Sequence, residues 1–155
     1  MAAKGIRILD SVNNAVSVEL AEILVEIPNG NSFYWSILFL AGTGLFRGKS
    51  IPDLELEIND YSEGLSIKWD ELKFLESISY KIEDLVLIGC MDQALLKRYD
   101  KDQEMYETCD IVIVMFDSCY WEVFSKDEQF IQRLAAKFKD IKFLESDFQK
   151  DFEKE

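Results

Sequence analysis

Residues 111–116 read IVIVMF, six apolar side chains between Asp110 and Asp117, four of them β-branched. A run too short for a buried helix and this rich in β-branched residues is a strand. Its lack of polar alternation puts it at the centre of a sheet. The rest of the chain has to be arranged around it. CYWEVFS (119–125) alternates apolar and polar residues after Asp117-Ser118, a turn pair, and DLVLIGC (84–90) supplies another short buried strand.

The flanking segments mix hairpins with helices. IRILDSV (6–12) and VSVELAEILVEIP (16–28) meet at Asn13-Asn14, a hairpin turn pair. Glu19, Glu22 and Glu26 also have helical spacing, so residues 12–23 are open to strand or helix, and Pro28-Asn29-Gly30 closes the segment. FYWSILFLAG (33–42) reads as a helix capped by Asn31 or Ser32 and ended by glycine, with a central strand as the competing reading. LELEIND (54–60) alternates as a strand, and GLSIKW (64–69) follows as its hairpin partner. Asp70 to Ser79 places Leu72, Leu75 and Ile78 on one helical face. Residues 92–109 are polar and suit a long loop, or a short helix with a loop. Lys126 to Lys139 is a helix with Asp127 and Glu128 at its start, and IKFLE (141–145) is a last strand. This order specifies an α+β fold, a single mostly antiparallel sheet with about three helices packed on it. The expected domain is residues 1–145, with 146–155 as a flexible C-terminal tail.

AGTGLFRGKS (41–50) ends in Gly48-Lys49-Ser50, as a phosphate-binding loop does. That loop needs a glycine five residues before Gly48 and a helix after the serine. Position 43 is Thr, and the alternation that starts at Leu54 predicts a strand instead of a helix. The stretch is expected to be a glycine-punctuated connection, and the chain calls for no nucleotide and no other cofactor.

Other chemistry is scarce. The chain has no histidine, which removes the commonest general base, the usual partner of a nucleophilic Ser or Cys, and the commonest transition-metal ligand. Cys90, Cys109 and Cys119 form no Cys-x-x-Cys pair and read as inert thiols in a reducing compartment. DKDQE (100–104) has the first acids of a calcium loop, but residue 105 is Met where glycine is needed and residue 111 is Ile where the closing Glu belongs. No catalytic or metal-ligating set is expected. The longest apolar runs are too short to span a bilayer, the N-terminus has no apolar stretch of signal length, and the expected location is the cytoplasm.

Charge carries the functional signal. Thirty acids against 17 bases give a net −13 over 155 residues, while 48% hydrophobic content argues against a disordered acidic tail. Residues 51–110 hold 16 acids and six bases, a net of −10, whereas residues 1–50 are neutral. Such a field repels nucleic acid and anionic membranes and attracts a basic protein. Two clusters combine acids with aromatic anchors. One comprises Asp53, Glu55, Glu57 and Asp60 with Tyr61 and Glu63, the first three sharing a strand face. The other comprises Asp100, Asp102, Glu104 and Glu107 with Tyr99 and Tyr106.

In size, charge and missing catalytic groups the chain resembles the small acidic immunity proteins of bacterial toxin systems such as contact-dependent growth inhibition. That resemblance implies a protein that binds and occludes a basic toxin domain, of nuclease type, without making or breaking a bond. Two segments, VEIPNGNSFYWSIL (25–38) and CDIVIVMFDSCYWEVFSKDEQFIQRL (109–134), are similar to a family of uncharacterised bacterial single-domain proteins. That family carries an Ile-Pro-Asn turn and an Asp-x-x-Tyr-x-Glu-x-x-x-Lys-Asp hairpin, here Asp117, Tyr120, Glu122, Lys126 and Asp127, and it implies no activity. Two other classes compete: a carboxylate-dependent hydrolase, with or without a metal, and an oligomeric regulatory or structural module using exposed Phe33, Tyr34 and Trp35.

Overall fold

The computed structural model describes residues 4–73, 75 and 81–145. In chain order its strands are β1 (Lys4–Ile8), β2 (Ser11–Val12), β3 (Ala15–Val16), β4 (Tyr34–Thr43), β5 (Leu45–Phe46), β6 (Lys49–Ser50), β7 (Leu65–Ile67), β8 (Lys81–Cys90), β9 (Ile111–Phe116), β10 (Tyr120–Ser125) and β11 (Ile141–Glu145). The α-helices are α1 (Leu20–Leu24), α2 (Ile51–Asp60), α3 (Trp69–Lys73), α4 (Asp102–Thr108) and α5 (Glu128–Lys137), with 3₁₀ turns at Gly30–Ser32 and Gln93–Leu95. Seven strands form one antiparallel sheet in the order β11-β1-β10-β9-β8-β4-β7. The fold is α+β, and IVIVMF is the middle strand.

The sheet is apolar on both faces, and the two faces are covered unequally. Ile6, Ile37, Leu85, Ile113, Trp121 and Val123 point into a core closed by α1, α2, α3 and α5 through Leu20, Ile23, Leu54, Ile58, Leu72, Phe130 and Leu134. Leu38, Ile88, Val112 and Phe124 belong to a smaller core on the other face, closed by Leu96 and by Met105 and Tyr106 of α4. No helix among the described residues is long and apolar enough to cross a membrane.

Turn chemistry sets the hairpins. Asn13 and Asn14 have φ of 54° and 67°, and Asp117 and Ser118 have 48° and 59°. Each pair occupies the left-handed region at the centre of a tight turn, Asn13-Asn14 closing a two-residue hairpin and Asp117-Ser118 lying within the three-residue connection from Phe116 to Tyr120. Residues 12–23, open between strand and helix, divide. The β2–β3 hairpin ends at Val16, and α1 starts at Leu20, where the Glu22 carboxylate accepts the Glu19 N–H at 2.7 Å. Asp127 caps α5 by accepting the amides of Gln129 and Phe130.

Two segments contradict the sequence reading. Residues 33–42 are not a helix but contain strand β4, paired with β8 along its length and with β7 over Trp35–Ile37. Trp35 and Ile37 enter one core and Leu38 the other, so the apolar residues show no period of two. The Trp35 indole donates to the Gly30 carbonyl at 2.7 Å and stacks on Trp69 at 5.5 Å, and a Cβ on Gly30 would run into the Trp69 ring. Residues 54–60, read as a strand, lie in helix α2. Ser50 accepts the Asp53 N–H at its start and Pro52 sits in its first turn, a pair of start signals that outweighs the alternation of Leu54, Leu56 and Ile58. The link to β7 is therefore a helix-to-strand turn, not a hairpin. The helix expected over 70–79 is observed as α3 up to Lys73, and most of its remainder, like the expected tail at 146–155, lies outside the described residues.

The two readings of 54–60 separate experimentally. A helix buries Leu54 at 1% exposure and leaves Leu56 at 67%, whereas a strand would place them on one face. Leu54→Ala will lower stability by about 2–5 kcal/mol, and Leu56→Ala will change it by about 0.5 kcal/mol or less, measured by urea denaturation. Equal losses would restore the strand.

Candidate functional site

Arg47 (φ 55°) and Gly48 (φ 75°) form the two-residue turn of the β5–β6 hairpin, so Gly48-Lys49-Ser50 is turn and strand, not a phosphate cradle. A helix does follow, contrary to expectation. Its N-terminus is occupied by the Ser50 hydroxyl and by Asp53, and the Lys49 ammonium is paired with the Glu57 carboxylate. The residue that would meet a phosphate meets an acid of its own chain.

On α2 the first acidic cluster is redistributed. Asp53 and Glu57 are one turn apart, while the half-buried Glu55 projects from another flank, so these three do not share a face as a strand would have arranged them. Glu57 also accepts the Tyr61 hydroxyl at 2.9 Å. The hydrogen bond from Lys49, followed by that from Tyr61, holds the Glu57 carboxyl below its ordinary range and raises both partners. Asp60 ends α2 and Tyr61 follows it, both exposed. The exposed Glu63 gives its carbonyl to the Ser36 hydroxyl at 2.5 Å.

The second cluster is partly core. Tyr106 is 3% exposed and stacks on Phe124 with centroids 4.0 Å apart, so it is not a surface anchor, and burial pushes its phenol pKa up. Tyr99 is half-buried and donates to the Leu95 carbonyl at 2.6 Å. Asp102 and Glu104 occupy the first turn of α4, where the helix dipole favours them, and Glu107 accepts from Gln103. The would-be calcium loop is therefore largely helix. Among the described residues no group of three or more acids and cysteines is placed to hold a metal ion.

Arg98 brings the clusters together. Its guanidinium donates to the carbonyls of Leu38 (2.6 Å), Ile58 (2.8 Å) and Tyr61 (3.2 Å). Leu38 lies at a register shift of β4, which leaves its carbonyl without a ladder partner, and the other two carbonyls belong to the end of α2. The segment leading to α4 is thereby fastened to the α2 C-terminus at the free side of β4. Among the described residues Asp53, Glu55, Asp60, Glu63, Asp100, Asp102 and Glu104 form no ion pair.

The hairpin at 117–127 is explained largely by packing. The Asp117 amide donates to the Asp84 carboxylate at 2.8 Å. Tyr120 stacks on Phe116 and lies under the Arg7 guanidinium, whose Nε and Nη2 both donate to Glu122. Lys126 donates to the Thr108 carbonyl at 3.0 Å. Trp35 is buried, so Phe33, Tyr34 and Trp35 do not form one exposed patch. Cys90 and Cys109 are buried together; their mutual hydrogen bond raises the Cys90 pKa and lowers that of Cys109, and neither thiol reaches solvent.

One feature was missed by the residue-level reading. A cleft of about 280 Å³ opens between Ile27, Phe33, Ile111 and Phe130, rimmed by Asn29, Asp110, Ser125, Lys126 and Asp127. Met91 is the one lining residue outside the segments 25–38 and 109–134, so the two similarity segments meet there. The Pro28-Asn29 turn and Lys126-Asp127 were its signals in the sequence. No protein-family model, curated protein or solved structure matches the chain.

Glu57 will titrate below the ordinary range of a glutamate in a carbon-detected NMR titration, and Lys49→Met will raise its pKa more than Tyr61→Phe. Because the folded-state pKa is depressed, the contribution of this contact is present at neutral pH and lost as pH falls through the folded value. An unmoved Glu57 in K49M would place the shift elsewhere.

Proposed function

We propose that the protein acts by binding a basic protein partner, most concretely as a cytoplasmic immunity protein that occludes a cationic toxin domain of nuclease type. The supporting observation is the edge formed by α2 and the residues after it. Of its five carboxylates between Asp53 and Glu63, Glu57 alone is neutralised by a base. Asp60 and Glu63 flank the C-terminal end of α2, with exposed Tyr61 between them as an apolar contact, and the base Arg98 is bound to the carbonyls of that end. The α4 cluster is a weaker field because Lys97 and Lys101 lie among Asp100 and Asp102. The α2 end is therefore the centre of the docking surface and α4 its margin. Carboxylates there substitute for the phosphates a cationic nuclease would meet, so capture is fast, salt-dependent and free of chemistry.

The chain immobilised as bait will retain a basic protein from its native host that elutes with rising salt. Asp60→Lys with Glu63→Lys will slow association with that protein by about tenfold or more and flatten its salt dependence. Asp102→Lys with Glu104→Lys will have the smaller effect. Retention of no basic protein, or unchanged association kinetics in the first double variant, would overturn the reading.

A further inference from the structure

The geometry points to the cleft at the end of the sheet as a binding site for an α-amino acid with an apolar side chain, a function that goes beyond the docking reading and does not depend on it. The cleft lies where β4 and β9 begin and β8 and β10 finish. Its floor of Ile27, Phe33, Ile111 and Phe130 takes an apolar group. At about 280 Å³ it falls just below the roughly 300–1,000 Å³ of sites for drug-sized ligands, which suits a body the size of one residue.

The rim carries both kinds of polar capacity side by side. Ser125 is 1% exposed and its oxygen accepts the Asp127 N–H at 3.0 Å, while its hydroxyl proton has no acceptor among the described residues. Lys126 gives one proton to the Thr108 carbonyl and lies 4.0 Å from Asp110, so it keeps further donors. These two groups suit a carboxylate. Asp110 uses one oxygen on the Met91 amide, at 2.8 Å, and Asp127 uses one on the α5 cap. Each carboxylate has a second oxygen, that of Asp110 being the one 4.0 Å from the Lys126 ammonium, and together they suit an ammonium. A purely cationic ligand would leave the Ser125 and Lys126 donors unmet, and a purely anionic one would face two carboxylates. A zwitterion with an apolar side chain satisfies both halves, and the competitor with the same apolar and carboxylate chemistry is the C-terminal residue of a peptide.

L-Phenylalanine and L-leucine titrated into the full chain will give saturable amide shifts confined to residues 27–33, 91, 110–111 and 125–130 in NMR spectra. Phenethylamine and phenylacetate, each lacking one charge, will bind at least about tenfold more weakly. Asp127→Asn, which keeps a good helix cap while removing the charge, and Ser125→Ala will each weaken L-phenylalanine by about tenfold with the spectrum otherwise native. Absence of saturable shifts up to the solubility of the amino acids would overturn the proposal. So would phenethylamine binding as well as phenylalanine. Equal binding of N-acetyl-L-phenylalanine would overturn it in favour of a peptide C-terminus.

Discussion

The structure depends on the burial of β8, β9 and β10 from both sides. Strands apolar on both faces cannot leave either face to water, so the chain must place cover on each. Four helices close one face. On the other, α4 and the 3₁₀ turn at Gln93–Leu95 reach only part of the sheet. The remainder is finished by side chains: Arg7 bridges Glu122 and covers the Tyr120 ring, and Tyr120 in turn stacks on Phe116. Glu122, 7% exposed, is tolerable there because Arg7 supplies two donors. Part of the hairpin that resembles the uncharacterised family thus serves to cover the sheet.

That incomplete cover gives Arg98 its importance. A short helix of seven residues has little stability of its own, and α4 stays on the sheet through Met105, Tyr106 and the anchor just before it. Arg98 makes that anchor by donating to three carbonyls, that of Leu38 at the bulge of β4 and those of Ile58 and Tyr61 at the end of α2, the last two of which also accept the backbone N–H groups of Tyr61 and Gly64. One guanidinium therefore satisfies backbone groups on two elements, and as a consequence sets the two acidic segments beside one another. Its donors go to carbonyls and not to carboxylates, so Asp60, Glu63, Asp100 and Asp102 keep their oxygens, while its single positive charge still subtracts from their summed field.

Much of this was legible in the chain because local chemistry and tertiary demand agree. Asn13-Asn14 and Asp117-Ser118 tolerate positive φ, and Asp127 caps a helix whose Phe130, Ile131 and Leu134 share a face. The errors arose where a pattern had two physical origins. Leu54, Leu56 and Ile58 alternate, yet Leu56 is simply an exposed leucine on a helix that Ser50 and Pro52 had already started. Residues 33–42 lack polar alternation because β4 feeds two cores, and a strand buried on both faces looks like a buried helix to periodicity alone. The aromatic and β-branched content of Phe33, Tyr34, Trp35, Ile37 and Phe39 was the better signal. The misread of α2 carried through to the site, since it put Glu55 and Glu57 together when the helix separates them. Tyr106 looked like a surface anchor because its neighbours are polar, and helical turning buries it. The cleft left only the Pro28-Asn29 turn and Lys126-Asp127 as signals, because it is assembled from strand ends, the 27–29 turn and α5, which come together only in the fold.

The proposed docking edge and the proposed ligand cleft make different demands on sequence, and this distinguishes them physically. A long-range field sums over charges, so a carboxylate moved by one helical turn along α2 contributes nearly the same potential to an approaching base. As an amino-acid site the cleft would work through single atoms. Asp127 must keep one oxygen on the α5 amides and the other at the rim, and a glutamate, one methylene longer, cannot hold both positions. Ser125 must accept from the Asp127 amide while keeping its proton for the cleft. The acidic edge can therefore tolerate drift in residue position provided the charge is preserved, whereas the cleft fixes side-chain identity.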